Sequence, residues 1–199
     1  MTTEISAQSN PIDVFGHWMA EAKSHPGIRE ATAAALATVN SKGELHNRVV
    51  LCKDHSEAGF TFFTNYDSRK GHDLAEHPQA AMVLYWDPMA RQVKISGRVE
   101  KVAREVSEAY WASRPRESQL SQWISRQSEP VGSREELENQ WRSAEREFEG
   151  RKIPCPKHWG GYLLSPRTIE FWVGRPGRLH DRFEFIKSGS IWTFRRLCP

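Results

Sequence analysis

Three arginines and a histidine lie within ten residues near the C-terminus, in the segment G-R-P-G-R-L-H-D-R-F at 174–183. In an extended strand, Arg178, His180 and Arg182 would share one face, because alternate side chains point the same way. Cationic groups in one row repel each other unless an anionic or electron-rich ligand lies against them. The pattern therefore fits either a ligand site or a solvent-facing edge strand, where arginine is common.

A second cationic group stands at the predicted start of a short helix. Arg69 and Lys70 follow the predicted strand 60–65, and Asp67 or Ser68 is the expected N-cap. The helix dipole disfavours cations in the first turn, and a bound anion would remove that conflict. Free backbone N–H groups and both side chains would converge on the anion, for which a phosphate is the natural candidate. Two solvated surface cations are the alternative interpretation.

A third candidate is a predicted strand with a cation at each end of an apolar run. Arg48 and Lys53 flank the residues V-V-L-C. Residues five apart lie on opposite faces of a regular strand, so the two cations could serve different ligand groups. A bulge would instead bring them together.

A fourth candidate combines a phenol, a guanidinium and a hydroxyl. Tyr110, Arg114 and Ser118 are each four residues apart, which would place three donors for phosphate oxygens on one helical face. Pro115 loosens this expectation, because the residue before a proline is pushed out of helical geometry.

The elements that must position these groups are mostly strands. The pattern predicts a first helix from Pro11 to about Ser24, capped by Asn10. Predicted strands cover 33–39, 45–53, 60–65, 80–86 and 92–102, helices follow from Arg104 with a capping box at Ser133, and two or three strands lie within 161–196. This order predicts an α+β domain, an antiparallel barrel with helices packed outside.

Composition predicts one globular domain over 11–199, preceded by a disordered polar tail over 1–10. The net charge of +3 is too small to indicate nucleic-acid binding. Three cysteines without a C-x-x-C pair argue against a disulfide framework, and no apolar run indicates secretion or membrane insertion, so the cytoplasm is the expected location. Dinucleotide, P-loop and zinc-protease motifs are absent, and no metal is predicted.

Eight motifs connect these segments. In chain order they read R-V-V-L-C-K from 48, F-F-T-N-Y-D-S-R-K-G from 62, R-Q-V-K-I-S-G from 91, S-R-P-R-E-S-Q from 113, W-I-S-R-Q-S from 123, W-G-G-Y from 159, I-E-F-W from 169 and R-L-H-D-R-F from 178. Together they resemble the pyridoxine (pyridoxamine) 5′-phosphate oxidase family. The resemblance covers residues 11–199, nearly the whole chain.

The resemblance implies an FMN-binding split β-barrel, antiparallel and Greek-key-like, that works as a homodimer with two FMN sites between the subunits. It implies substrate-phosphate contacts from Lys53, Tyr110, Arg114 and Ser118. Arg178 and His180 would be the catalytic residues in contact with the substrate ring. The implied cofactor-binding residues, some of them from the partner subunit, are Arg48, Val49, Val50, Leu51, Lys53, Phe63, Thr64, Ser68, Arg69, Lys70, Gln92, Gln127, Ser128, Trp172 and Arg182.

The implied reaction is the FMN-dependent oxidation of pyridoxine 5′-phosphate or pyridoxamine 5′-phosphate to pyridoxal 5′-phosphate by O₂ in vitamin B6 metabolism. Hydrogen peroxide and, from the amine, ammonia would be the co-products. Neither nucleic acid nor a membrane is an expected partner. Longer members carry a basic N-terminal segment with an Arg-Arg-x-Tyr pattern that can fold over the active site, and residues 1–10 contain no arginine, lysine or tyrosine.

Three alternatives stay open. A phenazine-pathway oxidase would keep the FMN contacts on the same barrel and change the substrate contacts. A non-catalytic protein that binds FMN or pyridoxal phosphate would hold the ligand without turnover. A basic, Trp-rich single-strand nucleic-acid binder would show steep salt dependence and no flavin.

Overall fold

The computed structural model describes residues 5–199, which form five α-helices and eight β-strands. The helices are α1 (Pro11–Ser24), α2 (Arg69–Glu76), α3 (Arg104–Ser113), α4 (Arg116–Ile124) and α5 (Arg134–Glu147). The strands are β1 (Ala33–Val39), β2 (Leu45–Ser56), β3 (Gly59–Asn65), β4 (Gln79–Trp86), β5 (Arg91–Lys101), β6 (Trp159–Val173), β7 (Asp181–Ser188) and β8 (Ile191–Arg196).

Six strands close into an antiparallel barrel. They follow the order β3-β2-β1-β4-β5-β6, and β3 also pairs with β6 to complete the ring. The long strand β6 makes this closure possible, because its first part pairs with β3 and its second part, from Thr168, pairs with β7. Strands β7 and β8 therefore extend the sheet beyond the ring. This arrangement confirms the predicted α+β split barrel with outer helices.

The barrel interior is filled by alternate residues of its strands. In β1 and β4 every second residue is buried, which is the period-two pattern of a sheet with one face toward a core. The largest fully buried side chains of this core include Leu36, Phe60, Phe62, Met82 and Leu84. Each such burial contributes about 1.5–3 kcal/mol relative to exposure, so the barrel is a rigid support for the groups on its surface.

A second, smaller core holds α3, α4 and α5 against the first part of β6. Trp111, Leu120, Phe148 and Trp159 are its main buried side chains. The indole N–H of Trp111 donates to the Ile153 carbonyl at 2.9 Å, which satisfies its buried polar group. This core keeps the α3–α4 corner next to β3.

Part of the segment before α1 packs against the barrel. Ile5 packs into the main core with 8% of its surface exposed, and the Ser9 amide donates to the Ser6 carbonyl at 3.1 Å. One apolar side chain of the segment before α1 therefore contacts the core, and the disordered tail over 1–10 stays a prediction. Residues 1–4 lie outside the described part of the chain. The helix that follows begins at Pro11, as predicted, and the Asn10 side chain accepts from the Ile12 amide at 2.8 Å.

Candidate active site

A cavity of about 1000 Å³ lies between β2, β3, the start of α2 and the α3–α4 corner. The lining carries positive charge without negative charge: five of its residues are Lys or Arg, and no carboxylate belongs to the lining among residues 5–199. The cationic lining residues are Arg48, Lys53, Arg69, Lys70 and Arg114. Such a cavity attracts anions and stabilises them by Coulomb interaction in a partly dehydrated space.

Lys70 is the most deeply placed of these cations, with 8% of its surface exposed. Its Nζ donates to the Gln127 side-chain oxygen at 2.7 Å, to the Thr64 hydroxyl at 3.0 Å and to the Ser68 hydroxyl at 3.1 Å. All three acceptors are neutral. Burial, with a smaller contribution from the charge of Arg48, lowers the pKa of Lys70 to about 8. A buried ammonium without a carboxylate partner is expected where a bound ligand supplies the negative counter-charge.

The start of α2 is the predicted one, but its capping differs. Ser68 is the N-cap residue, yet its side chain makes no capping hydrogen bond. The hydroxyl instead donates to the Asn65 carbonyl at 2.7 Å and accepts from Lys70. The Arg69 amide donates to the Ser128 hydroxyl at 3.2 Å. The first turn of α2 thus contains cations and backbone N–H groups, and it has no acidic side chain that could accept hydrogen bonds from them.

Strand β2 brings both of the cations that flank its apolar run to the cavity. The β2–β3 register shifts between Cys52 and Asp54, so the regular alternation that would separate Arg48 from Lys53 is broken by an irregularity at this point. Between the two cations, Val50 is buried and Val49 is 67% exposed. Val49, Val50 and Leu51 all border the cavity.

The α3–α4 corner forms an aromatic and cationic wall. The rings of Phe63 and Tyr110 stack with centroids 3.9 Å apart, and the Arg114 guanidinium lies over the Trp159 ring at 4.9 Å. Arg114 also donates to the Ser118 carbonyl at 3.3 Å. Burial raises the pKa of the Tyr110 phenol and lowers that of Arg114. Tyr110, Arg114 and Ser118 therefore reach one cavity, although Pro115 divides them between two helices.

Three other predicted cofactor residues form a row outside this cavity. Gln92 is the direct partner of Trp172 across β5 and β6, and Trp172 is the partner of Arg182 across β6 and β7. Arg182 is paired with Glu170 at 2.8 Å, and Lys94 reaches the same carboxylate at 2.6 Å. Burial opposes ionisation of Glu170, but these two hydrogen-bonded cations hold its pKa below the usual value. The row and the cavity are separate parts of one subunit.

The predicted common strand face of Arg178, His180 and Arg182 is wrong. Residues Pro176–Arg178 form a short 3-10 turn, Gly177 and Arg178 have φ angles of 67° and 61°, and β7 begins only at Asp181. The physical reason is local: the Pro-Gly pair favours a turn over an extended strand. The Arg178 backbone conformation is strained for a residue with a side chain, which marks this turn as a position under constraint.

The turn also determines how His180 presents its ring. The Arg175 backbone N–H donates to His180 Nδ1 at 3.1 Å, so Nδ1 is an acceptor and the proton of the neutral ring sits on Nε2. The Arg175 side chain is paired with Asp181 at 2.7 Å across the same turn. The His180 ring lies 4.7 Å from the Trp172 ring. His180 therefore contacts the row of Gln92, Trp172 and Arg182 through Trp172, and neither His180 nor Arg178 lines the cavity.

Some residues at the cavity were missed by reasoning from the sequence. His46, Gln122 and Trp159 contribute to its lining, and Asp73 lies behind it with 3% of its surface exposed. The one available signal was the position of Asp73 four residues after Arg69, which puts both on adjacent turns of α2. The others come together only through the closed barrel.

Comparison with known proteins identifies the family. Residues 20–144 match the family model described as pyridoxamine 5′-phosphate oxidase, and residues 159–199 match the one described as the pyridoxine 5′-phosphate oxidase C-terminal dimerisation region. The chain belongs to the pyridoxamine 5′-phosphate oxidase family. The match to the dimerisation region, which includes Trp172, Arg178, His180 and Arg182, indicates a homodimer.

Individual members of the pyridoxamine 5′-phosphate oxidase family align with nearly the whole chain. The pyridoxine/pyridoxamine 5′-phosphate oxidase of Pseudomonas fluorescens is 46% identical over 198 residues, which are 99% of this chain and 92% of that protein. The enzyme of the same name from Gloeothece citriformis is 47% identical over 199 residues, with the same two coverages. This degree of likeness over the full length makes the present protein an oxidoreductase.

Solved structures support the same fold for this pyridoxamine 5′-phosphate oxidase family member. PhzG from Burkholderia lata, in complex with tetrahydrophenazine-1-carboxylic acid, superimposes with a TM-score of 0.90 at 29% identity, and each chain is covered completely. An FMN-binding protein from Nostoc punctiforme, related to pyridoxamine 5′-phosphate oxidase, gives a TM-score of 0.78 at 16% identity, covering 98% of this chain and 100% of that chain. The latter likeness concerns the fold alone.

Within 5–199, no group of three or more His, Cys, Asp or Glu side chains is arranged to hold a metal ion. None of the helices in that range is long and apolar enough to cross a lipid bilayer.

Proposed function

We propose that this protein uses FMN to oxidise pyridoxine 5′-phosphate or pyridoxamine 5′-phosphate to pyridoxal 5′-phosphate, with O₂ as the acceptor and hydrogen peroxide as a product. The observation that carries the proposal is the cavity with five cations and no carboxylate among its described lining residues. Both the cofactor and these substrates are phosphate esters, so two anions would share this positive surface. Family membership supplies the reaction class.

The donor set at the start of α2 fits the FMN phosphate. Lys70 is buried against neutral acceptors, and Arg69 stands beside it in the same turn. A phosphate there would supply the negative counter-charge that Lys70 lacks within residues 5–199. The dipole of α2 would also stabilise that phosphate. Further contacts to the cofactor would come from the strand 48–53 and from Phe63, Thr64, Gln127 and Ser128. Ser68 is fully buried and does not line the cavity, so it would act through its hydrogen bond to Lys70. When bound, FMN would supply the redox chemistry, as the acceptor of a hydride equivalent from the substrate and the donor of electrons to O₂, and these residues would hold and orient it.

The α3–α4 corner fits the second phosphate. Tyr110 and Ser118 offer hydroxyl donors, and Arg114 offers a planar guanidinium whose orientation is restricted by Trp159 and by the Ser118 carbonyl. Lys53 would complete this contact from β2. Since this group and the α2 group line the same cavity from different elements, the two phosphates would be held apart. Such separation orients the substrate with respect to the cofactor.

The row at β5, β6 and β7 would complete the site from the partner subunit. Gln92, Trp172 and Arg182 lie outside the cavity of their own chain, and all but Gln92 belong to the segment that matches the dimerisation region. Arg178 and His180 would approach the substrate ring from this side. The neutral His180 would offer its Nε2–H to an oxygen of the substrate, because the Arg175 amide already occupies Nδ1.

The phenazine-pathway alternative receives less support. The likeness to PhzG is 29% in identity, against 46% to the vitamer oxidase of Pseudomonas fluorescens over a similar length. The hydrogen-bond donors of the α3–α4 corner would also have no phosphate to bind if the substrate carried none. The nucleic-acid alternative offers no reason for a single cavity lined by cations from β2, α2 and the α3–α4 corner.

The test is a visible absorption spectrum of the purified protein, recorded without oxygen before and after addition of pyridoxamine 5′-phosphate. We expect an oxidised-flavin spectrum that bleaches on mixing and returns with air. An unchanged flavin spectrum would refute the vitamer as substrate and leave the other two flavin-binding alternatives. A colourless protein that takes up no added FMN would refute the cofactor as well.

A further inference from the structure

Asp73 is a buried carboxylate for which the proposed reaction has no direct use. It lies in α2 with 3% of its surface exposed and faces β1 and β2. Its Oδ2 accepts from the Thr38 hydroxyl at 2.5 Å and from His46 Nδ1 at 2.9 Å, and it lies 3.7 Å from Arg48 Nη2. Because a carboxylate can only accept, the Thr38 hydroxyl donates to it, and the His46 proton is on Nδ1.

The direction of the Thr38 hydroxyl matters for Arg48. With its hydrogen committed to Asp73, Thr38 Oγ1 presents its lone pairs to Arg48 Nη1, which donates to it at 2.7 Å. Arg48 Nη1 also donates to the Leu36 carbonyl at 3.0 Å. A guanidinium is planar, so the two hydrogen bonds of Nη1 determine where its remaining N–H groups point. One side of Arg48 is held by this network, and the residue lines the cavity.

We propose that Asp73 is a positioning residue that orients Arg48 toward the anionic cofactor, an inference that rests on the proposed function. Helix α2 then controls three cations at once. It carries Arg69 and Lys70 in its first turn, and through Asp73 and Thr38 it directs Arg48 from β2. A small displacement of α2 would move Arg69 and Lys70 directly. It would also move Arg48, because short hydrogen bonds join Asp73 to Thr38 and Thr38 to Arg48.

Two effects of Asp73 on a bound anion oppose each other. Its negative charge repels the anion, whereas its orientation of Arg48 strengthens a charge-assisted hydrogen bond. The repulsion is largely compensated at the carboxylate, where Thr38 and His46 donate and Arg48 stands nearby. A misdirected guanidinium would lose its bond to the anion outright, and we expect this loss to be the larger effect.

The variant Asp73→Asn tests this balance, because it removes the charge that repels the anion, and its amide can present NH₂ instead of oxygen to Thr38. The Thr38 hydroxyl is then no longer forced to leave its lone pairs for Arg48. We expect the dissociation constant of FMN for the flavin-free protein, measured by quenching of flavin fluorescence, to rise about tenfold. Glu76→Gln is the matched control: Glu76 is an exposed carboxylate of the same helix that accepts from the Ser41 amide at 3.0 Å. It should leave FMN binding unchanged.

A double-mutant cycle separates positioning from a general effect on the fold. In the Arg48→Ala background, Asp73→Asn should cause no further weakening of FMN binding. Equal weakening in both backgrounds, or none in either, would overturn the inference while the proposed function stands. Failure of the unaltered protein to bind FMN would overturn both.

A second pair of variants covers the case in which Asp73→Asn fails to fold. Thr38→Val keeps the shape of the side chain and removes the hydroxyl that bridges Asp73 and Arg48, whereas Thr38→Ser keeps the hydroxyl. We expect weaker FMN binding for the valine variant and near-normal binding for the serine variant. The same affinity in both would contradict the bridge.

Discussion

The Nζ of Lys70 donates a 2.7 Å hydrogen bond to the side-chain oxygen of Gln127, 57 residues further along the chain. This bond connects the first turn of α2 with the segment that follows α4. The Arg69 amide and the Ser128 hydroxyl form a second bond between the same two segments at 3.2 Å. The two cations at the start of α2 are thus positioned by neutral groups, and their charge stays available to a ligand.

Removal of both cations should weaken cofactor binding. For Arg69→Ala combined with Lys70→Ala, we expect FMN to be lost on dialysis, with a dissociation constant raised about 100-fold or more, because two charge-assisted contacts disappear. Lys42→Ala removes an exposed cation of the β1–β2 turn and serves as the control. Unchanged flavin content after dialysis of the double variant would exclude the phosphate site at α2.

The pH dependence of FMN binding should report on Lys70. Its pKa in the flavin-free protein is about 8, and only the protonated form supplies a charge to a phosphate. FMN affinity should therefore be nearly constant below about pH 7, fall about twofold by pH 8 and then fall by up to about tenfold per unit as the pH rises further. The measurement is a fluorescence titration at several pH values. Lys70→Arg should flatten the profile, because arginine stays charged; an equally steep profile in that variant would assign the effect to another group.

Arg178 should matter for turnover and not for the cofactor. Arg178→Ala keeps a Cβ at the φ angle of 61° and so leaves the backbone strain of the turn largely unchanged. We expect the flavin spectrum to stay and kcat to fall at least about 100-fold, because a contact to the reacting substrate is lost. Arg167→Ala, an exposed cation of β6, is the control. Near-normal turnover of the Arg178 variant would remove this residue from the active site.

Mixed dimers would show whether two subunits share each site. Co-expression of an Arg69→Ala/Lys70→Ala chain with a Trp172→Ala chain, each with its own tag, allows the heterodimer to be isolated. In a two-fold dimer with shared sites, one site then carries all the changes and the other none, so about half of the normal FMN content should return. No recovery would mean that α2 and Trp172 serve one site within the same chain.

Close packing at Gly97 should be required for barrel stability. A Cβ at this position would come within 2.0 Å of the Ser165 carbonyl oxygen, at the point where the β5–β6 register shifts. We expect Gly97→Ala to lower the free energy of unfolding by about 1–3 kcal/mol, because the backbone of β6 must move. Gly132→Ala, in an exposed loop, faces only the end of the Glu136 side chain and should be nearly neutral. Equal stability of the two variants in urea unfolding would contradict this account.

Several elements were predictable because their signals are local. The bounds of α1 follow from Asn10-Pro11 and from apolar spacing, and the start of α5 follows from the Ser133 capping box, in which the Glu136 amide donates to the serine hydroxyl at 3.1 Å. The β1–β2 and β4–β5 hairpins were recognisable in the same way. The turn at 176–178 was also local, but the alternation of charged residues concealed the Pro-Gly signal.

Local signals in the sequence were enough to predict most helices and strands, the family and the types of residue available for binding phosphates. Which of these residues meet depends on the tertiary structure: β6 closes on β3, Arg48 and Lys53 reach one cavity, and Gln92 joins Trp172 and Arg182 in a separate row. It also decided that Asp73 supports Arg48 and that Ile5 enters the core. The physical reason is the distance along the chain over which each interaction acts. Capping and periodicity act over a few residues, whereas pairing between distant strands depends on the packing of the whole barrel.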